Sequence, residues 1–77
     1  MSLARTPLAL PVRVVRVRDT GPACYRLMEM GFIEGAEVRI LGRAPLGDPL
    51  RIRVGDYELS VRASEAELVE VSHSLAV

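Results

Sequence analysis

The most constraining feature of this sequence is a pair of alternating segments separated by only two residues. Apolar and polar side chains alternate through residues 50–54 and again through residues 57–62, with Gly55 and Asp56 between them. A two-residue loop of this kind closes a tight antiparallel hairpin and sets its register. A slip of one residue would turn every apolar side chain outward, so the register is strongly specified. The predicted pairs are Val54 with Tyr57, Ile52 with Leu59 and Leu50 with Val61 facing inward, and Arg53 with Glu58 facing outward.

The same two-residue period predicts three more strands. Residues 36–41 alternate between two glycines, and residues 68–71 form a short last strand. Residues 12–18 also alternate, but the phase changes at Val14 and Val15, which predicts either a β-bulge or a strand that changes the face it buries. The chain therefore reads as mainly β.

One helix is predicted after the first strand. Asp19 and Thr20 are suited to cap it, Pro22 suits its first turn, and Gly31 suits the left-handed position after its end. Its expected buried stripe consists of Cys24, Leu27 and Met28.

A second, short helical turn is expected before the last strand, with Ser64 as its cap. Residues 44–49 contain two prolines and one glycine and are expected to form a rigid loop. Five short strands with these insertions predict a small, strongly bent barrel, because closure removes exposed strand edges. We expect the barrel to span residues 8–72, between a flexible N-terminus at 1–7 and a flexible C-terminal tail at 73–77.

Composition narrows the function. The 77 residues include ten arginines and ten acidic residues, so the net charge is zero, and 49% of the residues are hydrophobic. This balance favours a folded domain and disfavours a nucleic-acid binder, whose affinity depends on uncompensated positive charge. A single cysteine, Cys24, excludes an internal disulfide and suits the cytoplasm. The sequence lacks a run of about 18 apolar residues, so no insertion into a membrane is expected.

A catalytic or metal site is not expected either. His73, the one histidine, follows the last predicted strand, and Cys24 lies on the predicted buried stripe, so neither belongs to an acid–base or nucleophilic set. A structural zinc site needs four Cys or His ligands at short spacing, whereas this chain has one cysteine and one histidine. The sequence therefore predicts no enzyme and no bound cofactor, while a weak transition-metal site shared between two chains stays open.

RNA recognition is disfavoured by the aromatic residues. Arg13, Arg16 and Arg18 cluster on the first strand, but the chain has only three aromatic side chains, and the hairpin register places Tyr57 inward. Stacking platforms for single-stranded RNA need exposed rings beside a basic groove.

Protein binding is the function that remains. Residues 27–35 are too continuously apolar for one helical stripe, so Met30 and Phe32 are expected to face outward beside Gly31. The alternative is that Phe32 packs the helix end against the next strand. Residues 44–49 offer a second protruding element, with a plain connector as its alternative.

At these residues the chain resembles the FeoA family. Residues 27–38 resemble the family pattern L-x-x-[LM]-G-[LF]-x-x-G-x-x-[VI], and residues 44–50 match its A-P-x-G-D-P loop. Residues 59–66 resemble its L-[AS]-[LV]-R-x-x-E-A segment, and the strand at 69–71 follows. The order and spacing agree from about residue 8 to 71, whereas the tail at 72–77 continues past the last strand of the pattern.

The resemblance implies an SH3-like barrel in the cytoplasm that assists bacterial ferrous iron uptake by docking on the cytosolic part of the FeoB permease. The expected partner-binding residues are Arg26, Met30, Phe32, Leu46 and Asp48. The alternative function is a homodimer in which Fe(II) or Zn(II) bridges two chains and acts as an iron sensor.

Overall fold

The structure, a computed structural model, describes residues 1–73 and contains five antiparallel strands in one curved sheet. The elements are a 3-10 turn at Leu3–Arg5, β1 at Val12–Val17, α1 at Pro22–Glu29, β2 at Glu37–Arg43, β3 at Leu50–Val54, β4 at Tyr57–Val61, α2 at Ala63–Ala66 and β5 at Val69–His73. The strand order is β4-β3-β2-β1-β5. The predicted fold, with one helix after the first strand and a short one before the last, is confirmed.

The hairpin formed by β3 and β4 has the predicted register. All four expected pairs are present, and Arg53 Nη1 lies 3.5 Å from Glu58 Oε2 on the outer face. The bulge predicted in β1 is also present, between Val14 and Arg16. A second bulge lies in β2 between Ile40 and Gly42, where the sequence analysis expected the strand to end at residue 41.

The core lies inside the bent sheet and draws on every element. Inward side chains of the strands supply most of it, and α1, the N-terminal turn and α2 supply the rest. The buried apolar residues are Leu3, Val12, Val14, Leu27, Phe32, Val38, Ile40, Leu50, Ile52, Val54, Val61, Ala66, Val69 and Val71.

The first helix begins and packs differently from the prediction. Its N-cap is Gly21, while the Asp19 carboxylate accepts hydrogen bonds from the backbone amides of Thr20 and Gly21 just before it. Pro22 is the first helical residue, as predicted. Of the expected buried stripe only Leu27 is buried, and the side chain of Met28 is exposed. The predicted stripe was wrong because Leu27 is the one fully buried residue of this eight-residue helix, while Cys24 is half-buried.

The N-terminal segment packs on the barrel, in contrast to the flexible terminus expected over residues 1–7. Leu3 is fully buried, and Ser2 Oγ donates a hydrogen bond to the carbonyl of Ala66 at 3.2 Å. The amide of Val71 in β5 donates to the carbonyl of Met1 at 2.7 Å. His73, expected in the tail, ends β5, and residues 74–77 of that tail lie outside the described residues.

Candidate docking surface

The loop between β2 and β3 is held in shape by its own backbone. The amide of Ala44 donates to the carbonyl of Pro49 at 3.1 Å, and the amide of Gly47 donates to the carbonyl of Ala44 at 2.7 Å. These bonds present Leu46 to solvent with 97% of its surface exposed. Residues 44–49, the Pro loop, therefore form a turn that is closed by backbone hydrogen bonds and exposes Leu46.

Asp48 fastens this loop to α2. Its Oδ1 accepts a hydrogen bond from the backbone amide of Ala63 at 2.8 Å, and its Oδ2 lies 3.3 Å from Arg62 Nη2. The Asp48 carboxylate thus accepts the hydrogen bond of an amide at the start of α2, which the sequence predicted for the side chain of Ser64. The prediction that Ser64 caps α2 was wrong. The N-cap residue is Arg62, and the oxygen that accepts from Ala63 belongs to Asp48 in the Pro loop. Through these two contacts Asp48 sets the position of the Pro loop relative to α2.

Arg26 fastens α1 to the same short helix. Its Nη2 and Nε lie 2.9 Å and 3.3 Å from Glu65 Oε2. Glu65 Oε1 accepts a hydrogen bond from the amide of Arg62 at 3.0 Å. That amide, and next the Arg26 guanidinium, lower the pKa of the Glu65 carboxyl, while desolvation opposes them. Two of the predicted residues, Arg26 and Asp48, are therefore brought together through α2.

Met30 and Phe32 lie closer to the core than predicted. Phe32 is 1% exposed, so the expectation that it faces outward was wrong. Its amide donates to the carbonyl of Leu27 at 3.1 Å across the left-handed turn at Gly31, and this turn directs the ring inward. Met30 is half-buried and packs against the core. The alternative in which Phe32 packs the helix end agrees with this geometry.

Tyr57, in contrast, is more exposed than predicted. Its side chain is partly exposed, and its hydroxyl donates a hydrogen bond to the carbonyl of Met30 at the end of α1. The hairpin register placed it on the inner side, but β4 lies at the end of the sheet, where that side is only partly covered.

The exposed side of α1 carries apolar residues that the sequence analysis missed. Tyr25 is 68% exposed and Met28 is 46% exposed. A groove of about 530 Å³ beside Tyr25 and Arg26 extends to Thr20 at the start of the helix. The sequence contained one indication of this exposed apolar face. Tyr25 and Met28 are three residues apart, and that spacing places both side chains on one face of a helix.

No metal-binding cluster is found within residues 1–73, since no three His, Cys, Asp or Glu side chains converge. Cys24 Sγ lies 3.6 Å from Met28 Sδ and provides only two sulfur atoms. Over the same residues, the helices are all too short and polar to cross a membrane.

The comparison with protein families identifies the fold. The FeoA domain family matches residues 1–73, nearly the whole chain. The chain belongs to the FeoA family. The FeoA domain is a non-catalytic accessory domain, which confirms the expectation that the chain is not an enzyme.

Known FeoA proteins resemble the chain in sequence and structure. Iron(II) transport protein A of Clostridium thermocellum superposes with a TM-score of 0.90 at 36% identity, over 96% of this chain and 46% of that one. FeoA of Stenotrophomonas maltophilia, an SH3 domain protein crystallised with zinc, superposes with a TM-score of 0.82 at 37% identity, over 94% and 89%. The predicted SH3-like fold is confirmed.

A fusion protein gives the third comparison. In Porphyromonas gingivalis, a protein that joins Fe(2+) transport protein A to the Fe(2+) transporter FeoB is 40% identical over 58 residues. The match covers 75% of this chain and 7% of the fusion protein. The chain thus corresponds to a small part of that relative.

Proposed function

We propose that this FeoA domain is an accessory of bacterial ferrous iron uptake and acts in the cytoplasm by binding the cytosolic part of a FeoB-type permease. The observation that carries the proposal is the Porphyromonas gingivalis relative, in which a similar domain and FeoB share one chain. Covalent joining raises the effective concentration of one partner for the other. A FeoA domain that acts on the permease needs a surface that contacts it.

The surface that we assign to this role consists of Tyr25, Arg26, Met28 and Leu46, and we call it the docking surface. Leu46 supplies an exposed apolar anchor, and the shallow groove at Tyr25 and Arg26 supplies a second contact area. The Pro loop and α1 are both bonded to α2, so their relative position is set before binding. A preorganised anchor loses little conformational entropy when it enters a pocket of a partner.

The remaining predicted residues support this surface from within. Phe32 and Met30 hold the end of α1 against the core, and Asp48 holds the Pro loop against α2. Their substitution is therefore expected to act on binding through the fold. Leu46 offers the cleaner test, because its side chain contributes almost no buried area to the domain.

The test uses the full chain and the membrane permease in parallel binding and transport assays. We expect Leu46→Asp to weaken capture by the permease at least about ten-fold, as for a central interface anchor, and to remove the effect of the chain on GTP hydrolysis and Fe(II) uptake. Leu8→Asp is the control, since Leu8 is another exposed leucine and is not one of the four residues of the docking surface. Wild-type capture by a folded Leu46→Asp variant contradicts the assignment.

A metal-responsive homodimer is the second candidate, favoured by the zinc in the Stenotrophomonas maltophilia FeoA crystal. The side chains within residues 1–73 of one chain do not fit a complete site, so Fe(II) or Zn(II) would have to bridge two chains. Anaerobic calorimetry and sedimentation with each metal distinguish the candidates. Metal-dependent dimerisation supports this second function, and constant sedimentation with no heat of binding rejects it.

A further inference from the structure

A basic notch lies beside the Pro loop, on the outer face of the sheet. Gly42, Arg51 and Ser60 are direct cross-strand neighbours on β2, β3 and β4. Because Gly42 has no side chain, the Arg51 guanidinium can lie close to it, with Nη2 3.7 Å from the position of an added Cβ. The resulting cavity has a volume of about 240 Å³. We call it the Arg notch; its other walls are Arg43, Ala44 and Pro49.

The positive charge of the Arg notch is only partly neutralised. Arg43 pairs with the buried Leu50, and its Nη2 lies 3.4 Å from the carbonyl oxygens of Ala4 and Thr6, so its guanidinium is turned toward the N-terminal segment and away from the notch. Arg51 Nε lies 3.9 Å from Glu58 Oε1, and the other oxygen of Glu58 lies nearer to Arg53. One carboxylate thus serves two guanidinium groups.

The nearby acid of the Pro loop does not compensate for this charge. Both oxygens of Asp48 are engaged with α2, at the amide of Ala63 and the guanidinium of Arg62. The two loop residues that line the notch, Ala44 and Pro49, are uncharged. The notch therefore presents the Arg51 guanidinium, which shares one carboxylate with Arg53, and the neighbouring Ser60 hydroxyl to an incoming group.

We propose that the Arg notch binds a side-chain carboxylate of a partner segment in which acidic and apolar residues alternate. A guanidinium donates two parallel hydrogen bonds to a carboxylate, which suits this occupant. Exposed guanidiniums hold a free anion weakly, because solvent and salt screen the charge. A peptide segment gains further contact at Leu46, which belongs to the same loop that walls the notch. That the partner is the permease rests on the proposed function, whereas recognition of a carboxylate rests only on the residues of the notch.

The test titrates the full chain with a defined peptide and follows backbone amide chemical shifts. The probe is an acetylated and amidated pentapeptide, Leu-Glu-Leu-Glu-Leu, and its control carries Gln in place of Glu. We expect the acidic peptide to shift the amides of Gly42 and Ser60 and the control peptide to leave them in place. Raising the salt concentration weakens the binding.

An arginine variant tests whether the Arg51 guanidinium carries the binding. Arg51→Gln is expected to weaken binding of the acidic peptide about five-fold, as for one exposed charge pair. Arg16→Gln makes the same change in net charge at a guanidinium that pairs with Glu70 on β5. It is expected to leave the affinity for the acidic peptide unchanged.

Several outcomes overturn the proposal. Equal binding of the Glu and Gln peptides removes the carboxylate as the recognised group. Shifts of the same amides by inorganic phosphate, without binding of the acidic peptide, show a general anion site. These titrations contain no permease. If they fail while Leu46→Asp still weakens capture by the permease, the Arg notch proposal is wrong and the assignment of the docking surface is retained.

Discussion

Arg26 on α1 and Glu65 on α2 form an ion pair in which both a terminal and the inner nitrogen of the guanidinium reach one carboxylate oxygen. The other oxygen of Glu65 accepts the hydrogen bond of the Arg62 amide at the start of α2. Glu65 thereby joins two helices that are 39 residues apart in sequence at this contact. The protonation state of this one group affects both contacts.

Glu65 is expected to make the stability depend on pH. Its pKa in the folded chain lies below the ordinary 4.5, so the unfolded chain binds the proton more readily. The stabilisation is therefore complete above pH 4.5 and is lost as the pH falls through the lowered pKa. Glu65→Gln is expected to reduce the free energy of unfolding at neutral pH and to flatten its dependence on pH in acid. Denaturant unfolding from pH 7 to ~2.5 measures this.

The control for this prediction is Glu34→Gln, which makes the same change of charge at an exposed position after α1. It is expected to leave the acid limb of the stability profile unchanged. An identical profile for Glu65→Gln and the parent chain would show that the ion pair adds nothing.

Asp48→Ala is expected to destabilise the chain by about 1 kcal/mol, the usual cost of removing a side-chain acceptor from a helix start. It frees the amide of Ala63 and releases the Pro loop from α2. Asp48→Asn keeps an acceptor oxygen and should retain more of the stability. Unfolding curves and hydrogen exchange at the Ala63 amide measure the effect, and equal protection of that amide in Asp48→Ala contradicts it.

Leu3→Ala is expected to destabilise the chain by about 2–5 kcal/mol, because the substitution opens a cavity in a fully buried site. Leu46→Ala removes the same atoms from an exposed site and should change the free energy of unfolding by less than about 0.5 kcal/mol. Urea unfolding of the two variants compares them directly. A cost below 1 kcal/mol for Leu3→Ala would mean that the N-terminal turn does not seal the core.

Gly31→Ala is expected to destabilise the chain by more than the ~1–2 kcal/mol that a left-handed φ costs a residue with a Cβ. Gly31 has a φ of 108°, and an added Cβ would meet Tyr57 Oη and approach Val54 Cγ1 at 3.0 Å. Gly47→Ala is the matched control, because its φ is 88° and nothing lies within 4 Å of the added atom. We expect the Gly31 variant to unfold at lower denaturant concentration than the Gly47 variant.

A double-mutant cycle tests whether the Tyr57 hydroxyl contributes to this effect. Tyr57→Phe removes the hydroxyl that the new Cβ meets, so the two substitutions together should cost less than the sum of each alone. Additive costs would show that the Tyr57 hydroxyl plays no part in the cost of Gly31→Ala.

Most of the fold was predictable because local patterns specify it. The two-residue loop at Gly55 and Asp56 sets the hairpin register, and the phase change at Val14 reveals the bulge in β1. The bulge at Gly42 gave no such signal, since the alternation before it is regular. The Arg notch depends on that bulge and was therefore missed.

The candidate site was less predictable because exposure depends on partners distant in sequence. The exposure of Leu46 follows from a short proline loop and was anticipated. Phe32 and Met28 exchanged their expected environments, because the turn at Gly31 points the phenylalanine inward and the short helix leaves the methionine outside.

By itself the sequence determined the five strands and the helix between the first two, because alternation and turn residues act over a few positions, and its motifs carried the resemblance to the FeoA family. The tertiary structure alone decided that Leu3 belongs to the core and that Asp48 and Arg26 both fasten to α2. These contacts join residues far apart in the chain, and only the closed path of the backbone brings them within hydrogen-bond distance.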